Sequence, residues 1–367
     1  MKPFSLLIKP ASADCNLRCP YCFYLPKSKL YPETKTHRMT DKTLETLISR
    51  YMKTEQPQYV FGWQGGEPTI MGIDFFKQVI KLQIQYAPKG ASIANGLQTN
   101  GTLISEELAA HFGKYKFLLG VSLDGPPEIH DHYRYATKDR GSFDDAMRGI
   151  GLLKKHEVEF NILTLVSQSN VKKGGEVFQF LCDNGFFFHQ YIPCVEFDKD
   201  GGLLPFAITG EEWGDFMCQV FDAWMAHGPE KVSVRLFDSI LSQLVRGTST
   251  ICHAGKNCCQ YFVVEYNGDV YPCDFFVTKE TRLGNVNAHS WKELQKSNVY
   301  ISFGKKKTRW PRVCAECPHL VFCAGDCLKH RISRGGLETR PYLCEGWKRF
   351  YNHAMPGFRK IAERIGK

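Results

Sequence analysis

The sequence lacks the features that place a chain in a membrane or keep it unfolded. None of its apolar runs approaches the roughly 20 residues that a membrane-spanning helix needs. The apolar stretch near the first residue is short and is interrupted by Lys9 and Pro10, so we expect a strand there and no signal peptide. Low-complexity tracts and internal repeats are also missing, and 43% apolar against 23% charged residues is typical of a folded domain. We therefore expect a globular, cytoplasmic protein without a membrane partner.

Signals for nucleic-acid binding are equally scarce, although the 367 residues carry a net charge of +9. Basic residues concentrate at 305–312, KKKTRWPR, but neither an arginine-rich helix nor an aromatic RNA-binding motif accompanies them. We interpret this run as a solvated loop and expect no nucleic-acid partner. A zinc-dependent nucleic-acid binder stays open as an alternative, because several cysteines occur in pairs.

Strand-like and helix-like segments alternate along the first half of the chain. The predicted strands are short runs rich in β-branched and aromatic residues, at 4–9, 58–63, 91–99, 117–125, 160–167 and 186–195. Apolar residues at helical spacing fill the intervals, beginning with a helix that Thr40 can cap. Six such units predict an α/β fold with a parallel, helix-covered sheet. Because a closed barrel of this kind has eight units, we expect an open, partial (β/α)6 barrel.

The composition changes beyond residue 247, since nine of the 15 cysteines fall between residues 252 and 344. In a chain without an export signal, clustered cysteines more often bind metal or iron–sulfur centres than form disulfides. Asn267-Gly268 joins the runs QYFVVEY and DVYPC and predicts a β-hairpin. We therefore predict a partial-barrel domain at 1–234 and a cysteine-rich domain at 235–367.

Three cysteines follow the first predicted strand at the spacing C-x3-C-x2-C, and they are Cys15, Cys19 and Cys22. Three thiolates do not complete a four-ligand site, but a four-iron cluster held by three cysteines keeps one iron open for a small molecule. A structural zinc site is the alternative, yet His37, the nearest histidine, lies too far along the chain for the usual ligand spacing. The spacing therefore favours an iron–sulfur cluster with an open position.

This loop resembles that of the radical S-adenosylmethionine (SAM) enzymes, in which an aromatic residue, here Tyr21, precedes the last cysteine. The segment Gly65-Gly66-Glu67-Pro68, after the second predicted strand, matches the glycine-rich motif of that family. The resemblance implies a [4Fe-4S] cluster that binds SAM and cleaves it to a 5′-deoxyadenosyl radical. It also implies SAM contacts from Tyr21, Gly66, Ser122, Arg134 and Val195. From spacing alone, Arg134 is equally suited to a structural ion pair.

The C-terminal cysteines are numerous enough for two four-ligand sites. Their spacing includes C-x2-C-x5-C-x3-C from Cys314 to Cys327, and two structural zinc sites are the alternative. The pattern resembles the SPASM extension of radical SAM peptide-modifying enzymes, which carries two auxiliary [4Fe-4S] clusters. The resemblance assigns the first auxiliary cluster to Cys252, Cys258, Cys273 and Cys327. It assigns the second to Cys314, Cys317, Cys323 and Cys344. Cys259 stays an alternative to Cys258, because the two are adjacent.

The longest matching segments resemble the anaerobic sulfatase-maturating enzymes. They are GWQGGEPT, LQTNGTLI, VSLDGPPEIHD and CHAGKNCCQYFVVEYNGDVYPCDFF. The most specific part is YPCDFF, in which Asp274 directly follows a predicted cluster cysteine. The resemblance implies that Asp274 is the general base of the reaction and that Tyr24 and Gln64 lie beside the target side chain.

The same resemblance implies the reaction and its partners. A cysteine or serine of an unfolded sulfatase polypeptide becomes Cα-formylglycine after the adenosyl radical removes a hydrogen atom from its Cβ. Asp274 takes the thiol or hydroxyl proton, and an electron leaves through an auxiliary cluster. We therefore expect a radical SAM oxidoreductase with three [4Fe-4S] clusters, SAM as co-substrate and an electron donor such as flavodoxin or ferredoxin.

Two further rival functions stay open beside the zinc-dependent binder. A related SPASM maturase that forms a thioether or carbon–carbon crosslink in a ribosomal peptide would use the same cluster residues, although Asp274 within YPCDFF counts against it. A non-catalytic electron carrier would need neither an open three-cysteine site nor the glycine-rich segment. The residues do not distinguish a cysteine target from a serine target.

Overall fold

The computed structural model describes residues 1–137, 139–332 and 339–366. Its strands, in chain order, are β1 (Ser5–Lys9), β2 (Tyr59–Trp63), β3 (Ile93–Thr99), β4 (Leu118–Ser122), β5 (Tyr135–Thr137), β6 (Arg140–Gly141), β7 (Glu159–Val166), β8 (Phe188–Pro193), β9 (Ser233–Val234), β10 (Tyr261–Glu265), β11 (Asp269–Tyr271) and β12 (Gly284–Asn285). All except β5 and β6 belong to one sheet, in the order β12-β11-β10-β1-β2-β3-β4-β7-β8-β9. Neighbours from β1 through β8 pair in parallel, which confirms the predicted wall of six parallel strands.

Helices return the chain between these parallel strands, as crossover connections require. In chain order they are α1 (Asp41–Met52), α2 (Gly72–Tyr86), α3 (Glu106–Lys114), α4 (Pro127–Tyr133), α5 (Phe143–Lys155), α6 (Gly174–Asp183), α7 (Gly210–His227), α8 (Arg235–Arg246), α9 (Trp291–Lys296), α10 (Asn298–Lys306), α11 (Arg312–Ala315), α12 (Leu320–Cys323), α13 (Leu328–Ile332) and α14 (Cys344–Ile365). Helix α1 begins where predicted, because Thr40 Oγ1 accepts a hydrogen bond from the Thr43 amide at 3.2 Å. Its residues Leu44, Leu47 and Ile48 are fully buried on one face, which confirms that the helical spacing of apolar residues predicted the face packed against the core.

The C-terminal part of the chain continues the barrel sheet. Strand β10 pairs in parallel with β1, with Lys9 opposite Glu265, and β11 then pairs antiparallel with β10. The predicted hairpin is confirmed, and Gly268 in its turn has a φ of +88°, which glycine adopts without steric cost. Helix α14 packs along α7 and α8, and their apolar residues form a second core beside that of the barrel.

The basic run at 305–312 differs from its prediction as a solvated loop. Helix α10 continues through Lys306, and Lys307 is only 1% exposed. The Lys307 ammonium donates hydrogen bonds to three main-chain carbonyl oxygens, which replace its hydration. The prediction is therefore wrong for this lysine, because tertiary acceptors that the sequence does not reveal compensate its burial.

The predicted boundary between residues 234 and 235 falls where β9 ends and α8 begins, and it remains a prediction. Both sides share the sheet through β1 and β10 and share the second core through α7 and α14. In the residues given above, no helix has both the length and the apolar character needed to cross a membrane.

Candidate active site

The three-cysteine loop lies at the carboxyl end of β1, and Asp14 fixes it. Asp14 accepts hydrogen bonds of 2.8 Å from the His37 amide and from His37 Nδ1, and one of 2.6 Å from Arg38 Nη1. His37 Nε2 lies 2.9 Å from the carbonyl oxygen of Tyr31. Both ring nitrogens therefore face acceptors, which favours the imidazolium form. Although burial opposes it, the hydrogen bond to Asp14 raises the pKa of His37.

The glycine-rich segment packs directly on this loop. The Gly66 amide donates to the Ser12 carbonyl at 2.7 Å, and the Glu67 amide donates to the Asp14 carbonyl at 2.8 Å. A Cβ on Gly66 would lie 2.0 Å from the Asp14 carbonyl oxygen, so this close approach requires glycine. The buried Glu67 carboxylate also accepts from the Asn100 amide at 2.7 Å. The segment thus shapes the cysteine loop, while its role in binding SAM remains a prediction.

The three loop thiols lie within electrostatic reach of one another. Cys15 is exposed, Cys19 is buried and Cys22 is half-buried. Burial raises the pKa of Cys19 to about 11 and also raises that of Cys22, so binding a cluster must remove these protons. Cys15 Sγ accepts a hydrogen bond from the Leu17 amide at 3.3 Å, which orients it within the loop.

The predicted SAM contacts lie at the carboxyl ends of β4 and β8. Ser122 is the last residue of β4, Val195 follows β8 by two residues, and both are buried. Arg134 Nε donates to Asp124 Oδ2 at 2.9 Å, and the Tyr21 hydroxyl donates to the same oxygen. Arg134 also stands 5.5 Å from the centroid of the Tyr21 ring. The structural ion pair considered for Arg134 is therefore present through Nε, and its contact with SAM remains a prediction.

Asp274, Tyr24 and Gln64 come together at one point, although they are far apart in sequence. Asp274 directly follows Cys273 and is 5% exposed. The Tyr24 hydroxyl donates to Asp274 Oδ2, and Gln64 Nε2 donates to that oxygen at 3.3 Å and to Tyr24 Oη at 3.0 Å. Asp274 Oδ1 is buried and has no hydrogen-bond partner within the described residues. The arrangement leaves one carboxylate oxygen able to accept a proton.

Three charged residues of this site were not predicted. Lys9 Nζ lies 2.6 Å from Glu265 Oε1 and 3.5 Å from Asp274 Oδ1. Lys27 Nζ donates to the main-chain carbonyl oxygen of Asp274, and burial lowers the pKa of Lys27 to about 8. One signal was available in the sequence, since Lys9 directly follows the apolar run Leu6-Leu7-Ile8.

A cavity in the C-terminal part brings together the first predicted set of cluster ligands. Its thiol lining consists of Cys252, Cys258, Cys273 and Cys327. Burial raises the pKa of Cys258, of Cys273 and of Cys327, each to about 12. Cys259 is directed elsewhere, and its Sγ donates to the Tyr300 carbonyl at 3.2 Å. Four thiols around one enclosed space are a donor set that fits a [4Fe-4S] cluster.

The second predicted set lies on and between the short helices near α14, and includes the first residue of α14. Its members are Cys314 in α11, Cys317, Cys323 at the end of α12 and Cys344 at the start of α14. Burial raises the pKa of Cys344 to about 11, and Cys314 lies near enough to add to the rise. Over the described ranges, no three His, Cys, Asp or Glu side chains converge on a point suited to a single metal ion.

Comparison with known proteins decides the family. The Radical SAM superfamily signature matches residues 10–181, and the SPASM iron–sulfur cluster-binding domain matches residues 252–318. A serine-type anaerobic sulfatase-maturating enzyme of Bacteroides thetaiotaomicron is 37% identical over 97% of this chain and 90% of its own. The chain belongs to the family of anaerobic sulfatase-maturating enzymes. A cysteine-type member from Clostridium perfringens is 36% identical over 100% of both chains.

A solved structure of the family agrees with this assignment. The structure described as native anSMEcpe with bound AdoMet and Cp18Cys peptide has a TM-score of 0.91 at 35% identity, over 99% of this chain and 100% of that one. The predicted resemblance, the α/β fold with a SPASM extension and the enzyme class are confirmed. Within this sulfatase-maturating chain, the individual roles of the site residues remain predictions.

Proposed function

We propose that this chain oxidises a cysteine or serine of a sulfatase segment to Cα-formylglycine. The observation that carries the proposal is a buried carboxylate, Asp274, that lies next to the cavity thiol Cys273 and accepts hydrogen bonds from Tyr24 and Gln64. Relatives that match the full chain are serine-type and cysteine-type sulfatase-maturating enzymes. They favour this reaction over the crosslinking alternative.

In this proposal eleven of the free cysteines hold three [4Fe-4S] clusters. The loop cysteines leave one iron for SAM, whose contacts would be Tyr21, Gly66, Ser122, Arg134 and Val195. The cavity set and the set near α14 supply four thiolates each, so these two clusters have no open iron. When bound, these groups supply a 5′-deoxyadenosyl radical that removes a hydrogen atom from the target Cβ and a sink for one electron.

Residues of the chain handle the proton of the target side chain. Asp274 Oδ1 is buried and lacks a hydrogen-bond partner in the described part of the chain, so it is placed to accept the thiol or hydroxyl proton. Tyr24 and Gln64 hold the other oxygen, and Tyr24 stays a neutral donor because burial raises its pKa. Loss of one hydrogen atom, one proton and one electron converts –CH2–SH to –CH=S. Water then replaces the sulfur, which gives the aldehyde and hydrogen sulfide.

The target segment would enter between the two parts of the chain. Phe275 follows Asp274, is 36% exposed and lies 4.9 Å from the ring of Phe23. Leu25, also in the cysteine loop region, is 45% exposed. We place an extended, unfolded sulfatase segment against this partly apolar entrance. The partial-barrel part at 1–234 would then supply the radical, and the part at 235–367 would supply the base and the electron sink.

A small redox protein such as flavodoxin or ferredoxin would donate the first electron. A reducing compartment such as the cytoplasm suits a chain whose 15 cysteines are all free.

The test is to incubate anaerobically reconstituted enzyme with SAM, reductant and short sulfatase-type peptides of the form Cys-x-Pro-x-Arg and Ser-x-Pro-x-Arg. We expect at least one peptide to gain an aldehyde, detected by hydroxylamine labelling, with the mass change that its formation requires. A peptide with alanine at the target position is the control. An internally crosslinked product without an aldehyde would support the alternative, and SAM cleavage with neither product would overturn the proposal.

A further inference from the structure

Lys9 is buried at the junction between the barrel and the C-terminal extension. It is the last residue of β1, its side chain is 0% exposed, and its register partner on β10 is Glu265. Asp274 follows the β10–β11 hairpin and reaches the same point from the extension. The parallel pairing of β1 with β10 therefore places a barrel lysine beside two carboxylates of the extension.

The contacts of Lys9 exceed what an isolated structural ion pair needs. Glu265 Oε1, at 2.6 Å, already neutralises the buried ammonium. Nevertheless Asp274 Oδ1 lies 3.5 Å from Nζ, and the ammonium stands 4.8 Å from the centroid of the Tyr24 ring. Lys9 thus contacts both partners of the hydrogen bond from Tyr24 to Asp274. An ammonium has three N–H donors, and only one hydrogen bond to a described residue uses them.

Lys9 faces the oxygen of Asp274 that nothing else holds. Oδ2 accepts from Tyr24 and Gln64, whereas Oδ1 has no hydrogen-bond partner among the described residues. Lys27 holds the main-chain carbonyl of the same residue. Two lysines of the barrel therefore orient one aspartate of the extension, one through its carboxylate and one through its backbone.

We infer that Lys9 is a positioning residue for Asp274, whose Oδ1 its buried ammonium holds directed at the target side chain. The inference rests on the proposed function, because it assigns Asp274 the role of base. Burial alone would lower the pKa of Lys9, but Glu265 and Asp274 raise it, so the ammonium persists. Without this charge, Oδ1 would turn away from the target, and hydrogen abstraction would proceed without productive loss of the proton.

The experiment measures how tightly SAM cleavage is coupled to product formation in the reconstituted holoenzyme. The readout is the ratio of 5′-deoxyadenosine to aldehyde formed on a sulfatase-type peptide. Lys9→Met is paired with Lys9→Met/Glu265→Gln, which avoids leaving an unpaired buried glutamate if the single variant is unstable. Glu265→Gln alone is the matched control. We expect the ratio to rise on the order of tenfold in both Lys9 variants, with wild-type iron content, and to change less in the control.

A double-mutant cycle with Asp274→Asn decides whether Lys9 acts through Asp274. We expect Lys9→Met to have no further effect on coupling when Asp274 is already asparagine. Multiplicative effects of the two changes, an unchanged ratio in both Lys9 variants, or a parallel fall of 5′-deoxyadenosine and aldehyde would overturn the inference. Absence of aldehyde from the wild-type enzyme would instead reject the proposed function, so the two failures are distinguishable.

Discussion

The barrel and the C-terminal extension each bury one aspartate that binds a tyrosine of the cysteine loop. Asp124 of the barrel binds Tyr21, Asp274 of the extension binds Tyr24, and the two aspartates are 1% and 5% exposed. They differ in their remaining contacts. Asp124 Oδ1 accepts from the Leu165 amide at 2.9 Å, and Oδ2 also accepts from an arginine. Asp274 Oδ1 accepts no hydrogen bond from any residue that the structure describes.

This difference shows that burial and a tyrosine partner do not identify a reactive carboxylate. A carboxylate whose oxygens are all satisfied, as in Asp124, links β4 to β7 and to Arg134 and gains rigidity from those bonds. Asp274 Oδ1 has no hydrogen bond among the described residues and faces the Lys9 ammonium at 3.5 Å. A buried oxygen of this kind requires an explanation, and a catalytic role is one. This difference agrees with the proposed chemical role of Asp274 and with a structural role for Asp124.

The largest effect is expected from removing the proposed cluster beside Asp274. Cys258→Ala should lose about four irons per chain and all aldehyde formation, because the cavity set then lacks one ligand. The three-cysteine loop should still cleave SAM. Iron analysis and product assays of anaerobically purified protein check this outcome. Cys259→Ala is the matched control and should keep its iron, so loss of iron from that variant would reverse the ligand assignment.

Asp274→Asn tests the chemical side of the comparison. We expect aldehyde formation to slow by about 10²- to 10⁴-fold, the usual contribution of a general base. The amide keeps the volume of the carboxylate, so iron content and SAM cleavage should stay close to wild type. Rates of 5′-deoxyadenosine and aldehyde formation, measured together, provide the check. Normal aldehyde formation would remove Asp274 from its assigned role.

Asp124→Asn tests the structural role of the barrel aspartate with the same change of side chain. It removes the charge that pairs with the buried Arg134, so the free energy of unfolding should fall by about 3 kcal/mol. Denaturant unfolding of this variant, compared with Asp274→Asn under the same anaerobic conditions, measures the difference. Equal stability losses in the two variants would contradict the division of roles.

The smallest expected effect concerns the hydrogen-bonded ion pair between His37 and Asp14 in the barrel. The pKa of His37 is raised in the folded state, so the ion pair with Asp14 contributes to the free energy of unfolding. That contribution is complete below the unfolded pKa of about 6.5 and is lost as pH rises through the folded pKa. We expect this loss of unfolding free energy to be smaller than the loss caused by Asp124→Asn. Unfolding free energies measured from pH 6 to 9 should show it in the wild type and not in His37→Gln. Parallel pH dependences of the two proteins would exclude a contribution of this ion pair to stability.

Much of the fold was predictable because its signals are local. The six barrel strands and the helix cap at Thr40 follow from periodicity and capping, and Asn267-Gly268 is a strong hairpin signal. The prediction failed at Lys307, whose burial depends on carbonyl groups from segments distant in sequence. No local pattern distinguishes such a lysine from a solvated one.

The candidate site was predictable where cysteine spacing carried the information, and less so elsewhere. Resemblance, not spacing, suggested that Cys327 joins Cys252 and Cys273, and the cavity brings these thiols together. Lys9 and Glu265 were missed, because they meet only through the parallel pairing of β1 with β10. That pairing joins residues separated by most of the chain.

The sequence by itself determined the alternating α/β architecture, the open three-cysteine loop and the family to which the chain belongs. These features depend on periodicity and on short spacings, which act over a few residues. Only the tertiary structure decided which carboxylate oxygens lack a hydrogen bond, which of two adjacent cysteines lines the cavity and which lysines contact Asp274. Those outcomes depend on hydrogen bonds and charges between segments that are distant in sequence. These segments come together only when β10 of the extension pairs with β1 of the barrel.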